Sequence, residues 1–588
     1  MKNTIAFIIL LTILGMQGCN QHTVVMNTSA YDELPDPTVD TLSDWSGVAK
    51  GLHSSFVSID TRFAKSLKPE ITEKRTQHLR GWKGETLSAQ VLLWTTEEIP
   101  QVQVNFTDFD SQSAKLSKEV AQARFVRYVM ADEFAPGCER PLNPDEHPHA
   151  LSADVLDNVE AFDLEASKVR PVWLTIAIPE DATAGQYTGK VNISGKGIRS
   201  QSLDLTLEVI NQILPKASEW VFHLDQWQNP SAVARTEGVP LWSDAHFEAL
   251  KPMMQRLASA GQKVITTTLN KDPWNSQTFD AFEDMIIWTK NEDNTWSYDY
   301  TVFDRWVSFM MDLGINQMIN CYSLIPWNYE VHYKDVATDK MVNVVAKPGT
   351  AEFEDVWGAF LTDFKAHLSE KGWLSMTNIA MDEREREDMD AGLQLLTKVA
   401  PELGVSYADN QKAYQRYPDS RDISIAVNNP FSETDLLNRR SRGLNTTFYV
   451  CCADEFPNQF TFSDPAESTY LGWYALATNF NGLLRWAYNS WVENPLQDAR
   501  YKLYPAGDTH IVYPGSRSSV RFERMLEGIQ DYEKALIIIA SLEESNDNEN
   551  LDKLNAAIAK LKNVERRPTW NKELNEAKEL LNDLSKTL

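Results

Sequence analysis

The residues most able to do chemistry are two consecutive carboxylates, Asp382 and Glu383, which directly follow the apolar run 379–381 in the segment IAMDERERED. Such a pair cannot easily flank a sugar ring as proton donor and opposing nucleophile, because those roles require carboxylates about 5–5.5 Å or about 6.5–9.5 Å apart. The pair suits substrate-assisted hydrolysis, in which the 2-acetamido oxygen of the sugar attacks its own anomeric carbon. The enzyme then supplies a proton donor and a group that orients the acetamide.

The charged residues that follow the pair, 384–388, are interpreted differently. Acids and mixed charges near the start of a helix are typical of an exposed surface and need no catalytic role. We therefore predict that Arg384 to Asp388 form a solvated helix start.

Aromatic, amide and acidic residues also end the neighbouring apolar runs. Pyranose rings stack their C–H faces on Trp or Tyr, and their hydroxyls bind Asn and Asp. For any single one of the 18 Trp residues, packing in the core is the alternative. From position at run ends we predict these substrate-binding residues: Asp225, Tyr322, Trp327, Asn410, Tyr449, Trp486, Tyr488 and Asn489.

The elements that must position these residues begin beyond Pro215, where apolar runs alternate with amphipathic helices. Eight runs read as strands: WVFHLDQW, KVITTTLN, MINCYSLI, TNIAMDE, GVSYADN, ISIAVNN, TTFYVCC and GLLRWAYN. Eight strands with intervening helices predict a (β/α)8 TIM barrel over 214–540, whose active site lies at the carboxyl ends of the strands.

Two further regions flank the barrel. Short alternating runs such as SAQVLLWTT and QSLDLTLEVI, separated by Gly, Pro and Asp, predict an N-terminal all-β sandwich over 49–213. The change of periodicity near Pro215 predicts two independent domains, with the sandwich as support. Residues 541–588 are predicted to form a C-terminal helical extension.

The N-terminus has the pattern of a bacterial lipoprotein. Lys2, an apolar stretch and LGMQGC predict a signal peptide over 1–18 and lipidation at Cys19. Residues 19–48 are polar and are predicted to be a lipidated tether. We expect a cell-envelope lipoprotein of a Gram-negative bacterium, facing the periplasm rather than the cell surface, with membrane contact through the lipid anchor only.

Composition excludes other classes. The net charge of −27 argues against a nucleic-acid partner, because such binding needs clustered Lys and Arg. Cys138, Cys321, Cys451 and Cys452 lack zinc-site spacing and are too scattered for a disulfide scaffold, so Cys451 and Cys452 are expected to pack. No HExxH motif occurs, and we predict no metal and no cofactor. The oligomeric state is left open.

Several segments resemble glycoside hydrolase family 123, the β-N-acetylgalactosaminidases. They include FHLDQWQNPSAVAR, AGQKVITTTLNKDPW, CYSLIPW, IAMDER, LLRWAYNSWVENPLQDAR, PAGDTHIVYPG and RFERMLEGIQDYEKA, together with LRGWKGETLSAQ and RYVMADEFAPGC in the sandwich. The resemblance covers about residues 50–540. The occurrence of so many family motifs in the same order makes the resemblance specific to this family.

This resemblance implies that Asp382 orients the acetamido group and that Glu383 is the general acid/base. Position at strand ends makes Tyr449 the candidate donor to the acetamido carbonyl, with Trp486 and Tyr488 as stacking surfaces. The chain departs from the family pattern at Glu385, where Pro is expected after MDER, which predicts a less stiff loop.

The implied activity is exo-acting, retaining release of β-linked N-acetylgalactosamine from a glycan that carries it terminally. Alternatives are a related glycosidase on another β-hexosaminide or a galactoside, and an inactive glycan-binding lipoprotein. Retention of both Asp382 and Glu383 argues against a mere binder, because burying a proton donor beside a second acid gives a binder nothing.

Overall fold

The structure is a computed structural model that describes residues 31–37, 43–132, 137–138, 149–429 and 431–587. The predicted signal peptide and the predicted lipidation site Cys19 lie outside the described residues. Among the described residues, no helix combines the length and apolar character needed to cross a bilayer.

The first part of the chain is a β-sandwich. Within the described residues its strands are β1 (His53–Val57), β2 (Thr76–Lys83), β3 (Thr86–Thr95), β4 (Ile99–Phe106), β5 (Phe109–Asp110), β6 (Lys115–Leu116), β7 (Ala121–Asp132), β8 (His149–Asp157), β9 (Phe162–Leu164), β10 (Lys168–Ala177), β11 (Gly185–Ser194) and β12 (Gln201–Ile213). One sheet contains β1-β3-β10-β7-β8, and the other contains β2-β12-β11-β4-β9 with β5 and β6. Val91 and Leu174 from the first sheet share a core with Val191 and Leu205 from the second.

The second part is a nearly closed barrel of eight parallel strands. From here the strands are β13 (His223–Gln226), β14 (Val264–Thr268), β15 (Ile287–Lys290), β16 (Trp296–Asp299), β17 (Met318–Tyr322), β18 (Glu330–Asp335), β19 (Lys340–Val345), β20 (Thr377–Asp382), β21 (Gly404–Asp409), β22 (Asp422–Ala426), β23 (Asn445–Tyr449), β24 (Gly482–Arg485) and β25 (Ser518–Ser519). The barrel order is β13-β24-β23-β22-β21-β20-β17-β14, and each of its strands falls in one of the eight predicted runs.

The seam between β13 and β14 is bridged rather than fully paired. Lys263 donates its backbone N–H to the carbonyl of Leu224, and the Gln262 side chain accepts from the backbone of Gln226 at 2.9 Å. A side-chain amide thus replaces part of a backbone ladder and holds the ring together at this point.

Helices cover the outside of the barrel. Their bounds are α1 (Pro230–Glu237), α2 (Asp244–Ser259), α3 (Thr301–Asp312), α4 (Ala351–Lys371), α5 (Arg386–Val399), α6 (Glu433–Ser441), α7 (Pro465–Thr478), α8 (Val520–Ser545), α9 (Asn548–Lys560) and α10 (Lys572–Leu584). Apolar faces explain their packing: Phe353, Trp357, Phe360 and Phe364 of α4 recur at helical spacing and are buried. Gly372 ends α4 in the left-handed conformation, which glycine adopts without steric cost.

A small sheet, absent from the sequence-based prediction, packs against helix α4 through Trp288. The loops after β14 and β17 pair as β16-β15-β18-β19. The alternating segments WSYD and KMVNVV carry the period-two signal that indicates it.

Sandwich and barrel form one packed body. Strand β25 of the barrel part joins the sandwich sheet beside β8. Arg521 and Asp154 form a fully buried ion pair at 2.9 Å across the boundary, and Lys534 with Glu85 forms another at 3.0 Å. The prediction of independent domains is therefore at odds with the structure, because separation would leave these charges unpaired.

Two further predictions need correction. Cys452 does not merely pack: it forms a disulfide with Cys138, joining the loop after β7 to the loop after β23. The predicted tether is bound to the sandwich in its described part, because the nearly buried carboxylate of Glu33 accepts hydrogen bonds from Arg127 and Arg170 and pairs with Lys65 at 2.8 Å.

Candidate active site

Strand β20 positions the predicted catalytic pair, Asp382 and Glu383, at the barrel mouth. Ile379 and Met381 point outward into the helical core, so Ala380 and Asp382 point into the barrel. Asp382 is the last residue of β20, at the carboxyl end where barrel enzymes place catalytic groups.

Glu383 faces the same mouth because its backbone leaves the strand conformation. Its N–H still donates to the carbonyl of Ala408 on β21, but its φ is 47°, in the left-handed region. In a regular strand, consecutive side chains point to opposite faces. The left-handed residue turns the Glu383 side chain inward, where Oε1 accepts a short hydrogen bond from the hydroxyl of Tyr449. Non-glycine residues pay strain for this conformation, and such strain is often found at functional sites.

Aromatic side chains enclose Asp382. The rings of Trp227, Trp274 and Tyr322 pack against one another with centroids 4.6–4.9 Å apart. The indole Nε1 of Trp274 donates to Oδ2 of Asp382 at 3.0 Å. Asp382 thus lies in an aromatic cup in which Trp274 donates a hydrogen bond to it.

The cup changes the protonation of Asp382. Burial first, and then the neighbouring charge of Glu383, raise the pKa of Asp382 to about 7. Two adjacent carboxyls in a poorly solvated site do not both ionise readily, so the pair holds a proton near neutral pH. Proton donation at neutral pH is therefore available to this site.

Tyr449 and Trp486 complete the cup from β23 and β24. Burial, followed by the charge of Glu383, raises the pKa of the Tyr449 hydroxyl, which stays a hydrogen-bond donor. Trp486 is half-buried and donates its Nε1 to Oδ2 of Asp508 at 3.2 Å. Tyr449 and Trp486 therefore lie at the barrel mouth, where their predicted roles require them to be.

Arg384 is a site residue that the sequence interpretation missed. Its guanidinium lies 4.9 Å from the ring centre of Trp327, and its Nε donates to the backbone carbonyl of Asp382 at 2.8 Å. Arg384 is half-buried, whereas Asp388 is buried and accepts from the hydroxyl of Tyr329 at 2.6 Å. The prediction of a solvated helix start is thus wrong for these two residues, whereas Glu385 is exposed. The charge pattern alone gave no signal for their burial.

A cavity of about 490 Å³ opens beside Glu383. Asn410, predicted as a binding residue, lines it together with Arg384, Arg386, Lys412 and Arg416. Asp382 is not in its lining. The pair therefore separates two spaces: the aromatic cup around Asp382 and a polar cavity against Glu383.

Three predicted binding residues lie elsewhere. Tyr488 is fully buried, and its hydroxyl donates to the backbone carbonyl of Met253. Asn489 is also fully buried, and its side-chain amide donates to the backbone carbonyl of Asn229. The chain turns after Arg485, so these side chains enter the helical packing. Asp225 is 1 % exposed within the barrel, below the cup, where burial and then Asp422 raise its pKa well above its ordinary range.

One group of side chains among the described residues has donor atoms close enough to hold a metal ion. The sulfurs of Cys138, Cys451 and Cys452 lie within 4.8 Å of one another. The disulfide takes two of these sulfurs, so only Cys451 keeps a thiol.

Comparison with known proteins places this site in a family context. The profile of the glycoside hydrolase 123 catalytic domain matches residues 227–538, and that of the glycoside hydrolase 123 N-terminal domain matches residues 56–195. A search of curated proteins found no significant match.

Among solved structures, the chain is similar to a family 123 glycoside hydrolase from Clostridium perfringens, whose structural analysis concerns glycolipid glycan hydrolysis. The two share 28 % identity with a TM-score of 0.83, over 91 % of this chain and 98 % of that chain. A GH5 xyloglucanase from Bacteroides ovatus aligns with 77 % of this chain and 98 % of its own, at 9 % identity and a TM-score of 0.30, which is too low to indicate a shared fold.

Proposed function

We propose a specific activity for this chain, which belongs to glycoside hydrolase family 123 and is therefore a glycosidase. It releases terminal β-linked N-acetylgalactosamine from glycans with retention of configuration. The nucleophile in this proposal is the acetamido oxygen of the substrate. The observation that carries the proposal is that adjacent Asp382 and Glu383 both face the barrel mouth but have different surroundings.

The aromatic cup suits an acetamido group. The rings of Trp227, Trp274 and Tyr322 offer an apolar surface for the methyl group, while Asp382 offers an acceptor for the amide N–H. The single hydroxyl proton of Tyr449 is donated to Glu383 in the structure; in the proposal it turns to the acetamido carbonyl when substrate binds. Held in this way, the carbonyl oxygen attacks the anomeric carbon and forms a cyclic oxazolinium.

Proton transfer is assigned to Glu383. An amide N–H that donates to Asp382 favours its charged form, so the proton of the pair moves to Glu383 when substrate binds. Glu383 gives this proton to the glycosidic oxygen as the bond to the anomeric carbon breaks. The Glu383 carboxylate then takes a proton from the water that opens the oxazolinium, which restores the free enzyme.

The hydrogen bonding of the neighbouring acids supports the proposal that the substrate itself supplies the nucleophile. Asp409 accepts from the backbone of Gln411, Asp454 from the backbone of Cys451, and Asp508 from Arg485. Each of these three carboxylates is engaged by a donor in the structure, so none of the three is free to act as an enzymatic nucleophile.

Aryl glycosides test the proposal directly. We expect rapid hydrolysis of p-nitrophenyl β-N-acetylgalactosaminide, slower hydrolysis of the glucosaminide, and little of the β-galactoside, which lacks the acetamide. Proton NMR of the first product should show the β-anomer, and a galactosamine-derived thiazoline should inhibit competitively. Equal rates on the galactoside and its acetamido counterpart would refute the mechanism.

The similar clostridial enzyme suggests the natural substrates to assay first. The structural analysis of that enzyme concerns glycolipid glycan hydrolysis, so we propose oligosaccharides of this kind that end in β-N-acetylgalactosamine. Release of the monosaccharide without larger fragments would support terminal cutting, and release of oligosaccharides would contradict it.

A further inference from the structure

Under the proposed function, the cavity beside Glu383 lies on the side of the leaving group. The inference below rests on the proposed function, in which Asp382 holds the acetamide of the sugar being released and Glu383 protonates the departing oxygen. Glu383 lines the cavity and Asp382 does not. The next sugar of the glycan therefore extends into this space, whose volume of about 490 Å³ is within the usual range for ligand sites.

The cavity is cationic in a strongly acidic protein. Its lining has more cations than acids, although the chain has a net charge of −27: Arg384, Arg386, Lys412 and Arg416 stand against Glu383 and Asp409. Arg416 is bound by Asp390, which also lies 3.9 Å from Arg386. One carboxylate thus faces two guanidinium groups.

Two of the cations keep free donors. Arg384 uses its Nε on the carbonyl of Asp382, but its terminal amino groups meet no acceptor among the described residues. The exposed ammonium of Lys412 forms no ion pair within the described part of the chain. Arg384 is half-buried against Trp327, so its free amino groups are directed donors rather than solvated charge.

We infer that this cavity is a subsite for an anionic substituent, a carboxylate or a sulfate, on the sugar that carries the N-acetylgalactosamine. A guanidinium binds the planar or tetrahedral oxygens of such groups well, and an ammonium adds a point charge. The overall negative charge of the protein repels acidic glycans. Local cations at the leaving-group side are what would let an acidic glycan bind.

Matched disaccharides test the subsite. In the first pair, β-N-acetylgalactosamine is linked to glucuronic acid in one member and to glucose in the other. In the second pair, it is linked to sulfated galactose in one member and to unsulfated galactose in the other. The two members of each pair have the same linkage. We expect kcat/KM on the acidic member to exceed that on the neutral member about tenfold, the scale of one charge-assisted hydrogen bond. The pair that shows the preference identifies the anion.

Variants of Lys412 assign the preference to the cavity. Lys412→Gln should reduce the acidic-to-neutral ratio, Lys412→Glu should reduce it further, and Lys412→Arg should keep it. Lys560→Gln is the matched control, because Lys560 is exposed on α9, away from the barrel mouth. The wild-type preference should also weaken in 0.5 M salt, since exposed charges are screened.

Binding separates this inference from the proposed function. Calorimetry on the Glu383→Gln variant measures the affinity for each disaccharide without turnover. If aryl acetamido glycosides are cleaved but the acidic and neutral disaccharides react and bind alike, the anionic subsite is refuted and the function stands. A preference that survives Lys412→Glu also refutes it. If no acetamido substrate is cleaved while the acidic disaccharide still binds more tightly, the function fails and the subsite stands.

Discussion

The indole Nε1 of Trp274 donates a hydrogen bond to Oδ2 of Asp382 at 3.0 Å, although the two residues are 108 positions apart in the chain. Trp274 lies in the loop after β14 and Asp382 ends β20, so the barrel alone brings them together. An N–H donor favours the charged carboxylate. Trp274 therefore lowers the pKa of Asp382 against the larger, opposite effect of burial.

Trp274→Phe should keep the aromatic packing and remove this donor. The pKa of Asp382 should then rise above about 7, and the alkaline limb of the pH profile of kcat/KM should move to higher pH. We also expect kcat to fall about tenfold, the scale of one hydrogen bond to a charged group. The half-buried Trp296 on β16 provides a control as Trp296→Phe. An unchanged pH profile in Trp274→Phe would contradict this role.

The two acids should separate when the leaving group is varied. Glu383→Gln should reduce hydrolysis of natural glycans by about 10²–10⁴-fold, but spare much of the activity on aryl glycosides with acidic phenols, which leave without a proton. Asp382→Asn should damage both substrate types alike, because orienting the acetamide does not depend on the leaving group. Kinetics across a series of phenols measures this. The opposite pattern would exchange the assigned roles.

Stability should show the cost of burying Asp382. Its folded pKa is raised from the ordinary 3.8 to about 7. The folded state thus holds a proton that the unfolded state has lost, and stability from this group falls as pH rises from about 4 to 7. Asp382→Asn should raise the free energy of unfolding by roughly 1–3 kcal/mol at pH 8 and by less at pH 5.

Urea unfolding at both pH values measures this effect. The matched control is Asp312→Asn, at an exposed helix end, which should change little at either pH. A destabilised Asp382→Asn at pH 8 would contradict the predicted sign.

The boundary between sandwich and barrel should be essential for folding. Asp154 accepts from Arg521 at 2.9 Å and from the hydroxyl of Tyr513 at 2.7 Å, all buried. Asp154→Ala should destabilise the protein by about 3–5 kcal/mol, because it leaves a buried cation unpaired. Asp204→Ala breaks the exposed Lys190–Asp204 pair and should cost less than about 1 kcal/mol. Thermal melts compare them, and a soluble, active fragment 216–588 would show that the boundary is dispensable.

Lipidation at Cys19 and a periplasm-facing location remain our proposals from LGMQGC. Cys19→Ala should release soluble protein from the membrane fraction, because the lipid is the proposed anchor. Fractionation with immunodetection measures this, and protease treatment of intact cells distinguishes the periplasm from the surface. Protein that stays in the membrane without Cys19 would rule out this anchor.

Much of the fold followed from local patterns. The eight barrel strands each fall in a predicted run, because buried parallel strands are short apolar segments between amphipathic helices. The small sheet β16-β15-β18-β19 was missed, since it interrupts that rhythm within two loops.

The site likewise contains residues whose position could be predicted from the sequence and residues whose position could not. Position at a strand end was enough to place Asp382, Glu383 and Tyr449 at the barrel mouth, because parallel strands in a barrel present their carboxyl ends together. It was not enough for Tyr488 and Asn489, which follow the end of β24 by several residues and turn into the packing. Strand periodicity gives the direction of a side chain only while the strand lasts.

The order of the elements and the position of the two acids at the end of β20 could be predicted, since both depend on local composition and spacing. Three features could not be predicted: the left-handed turn at Glu383, the packing of half-buried Arg384 against Trp327, and the disulfide between Cys138 and Cys452. Each of these depends on contacts between distant segments. Charge spacing cannot reveal which Arg is buried, because that depends on the loop that folds over it.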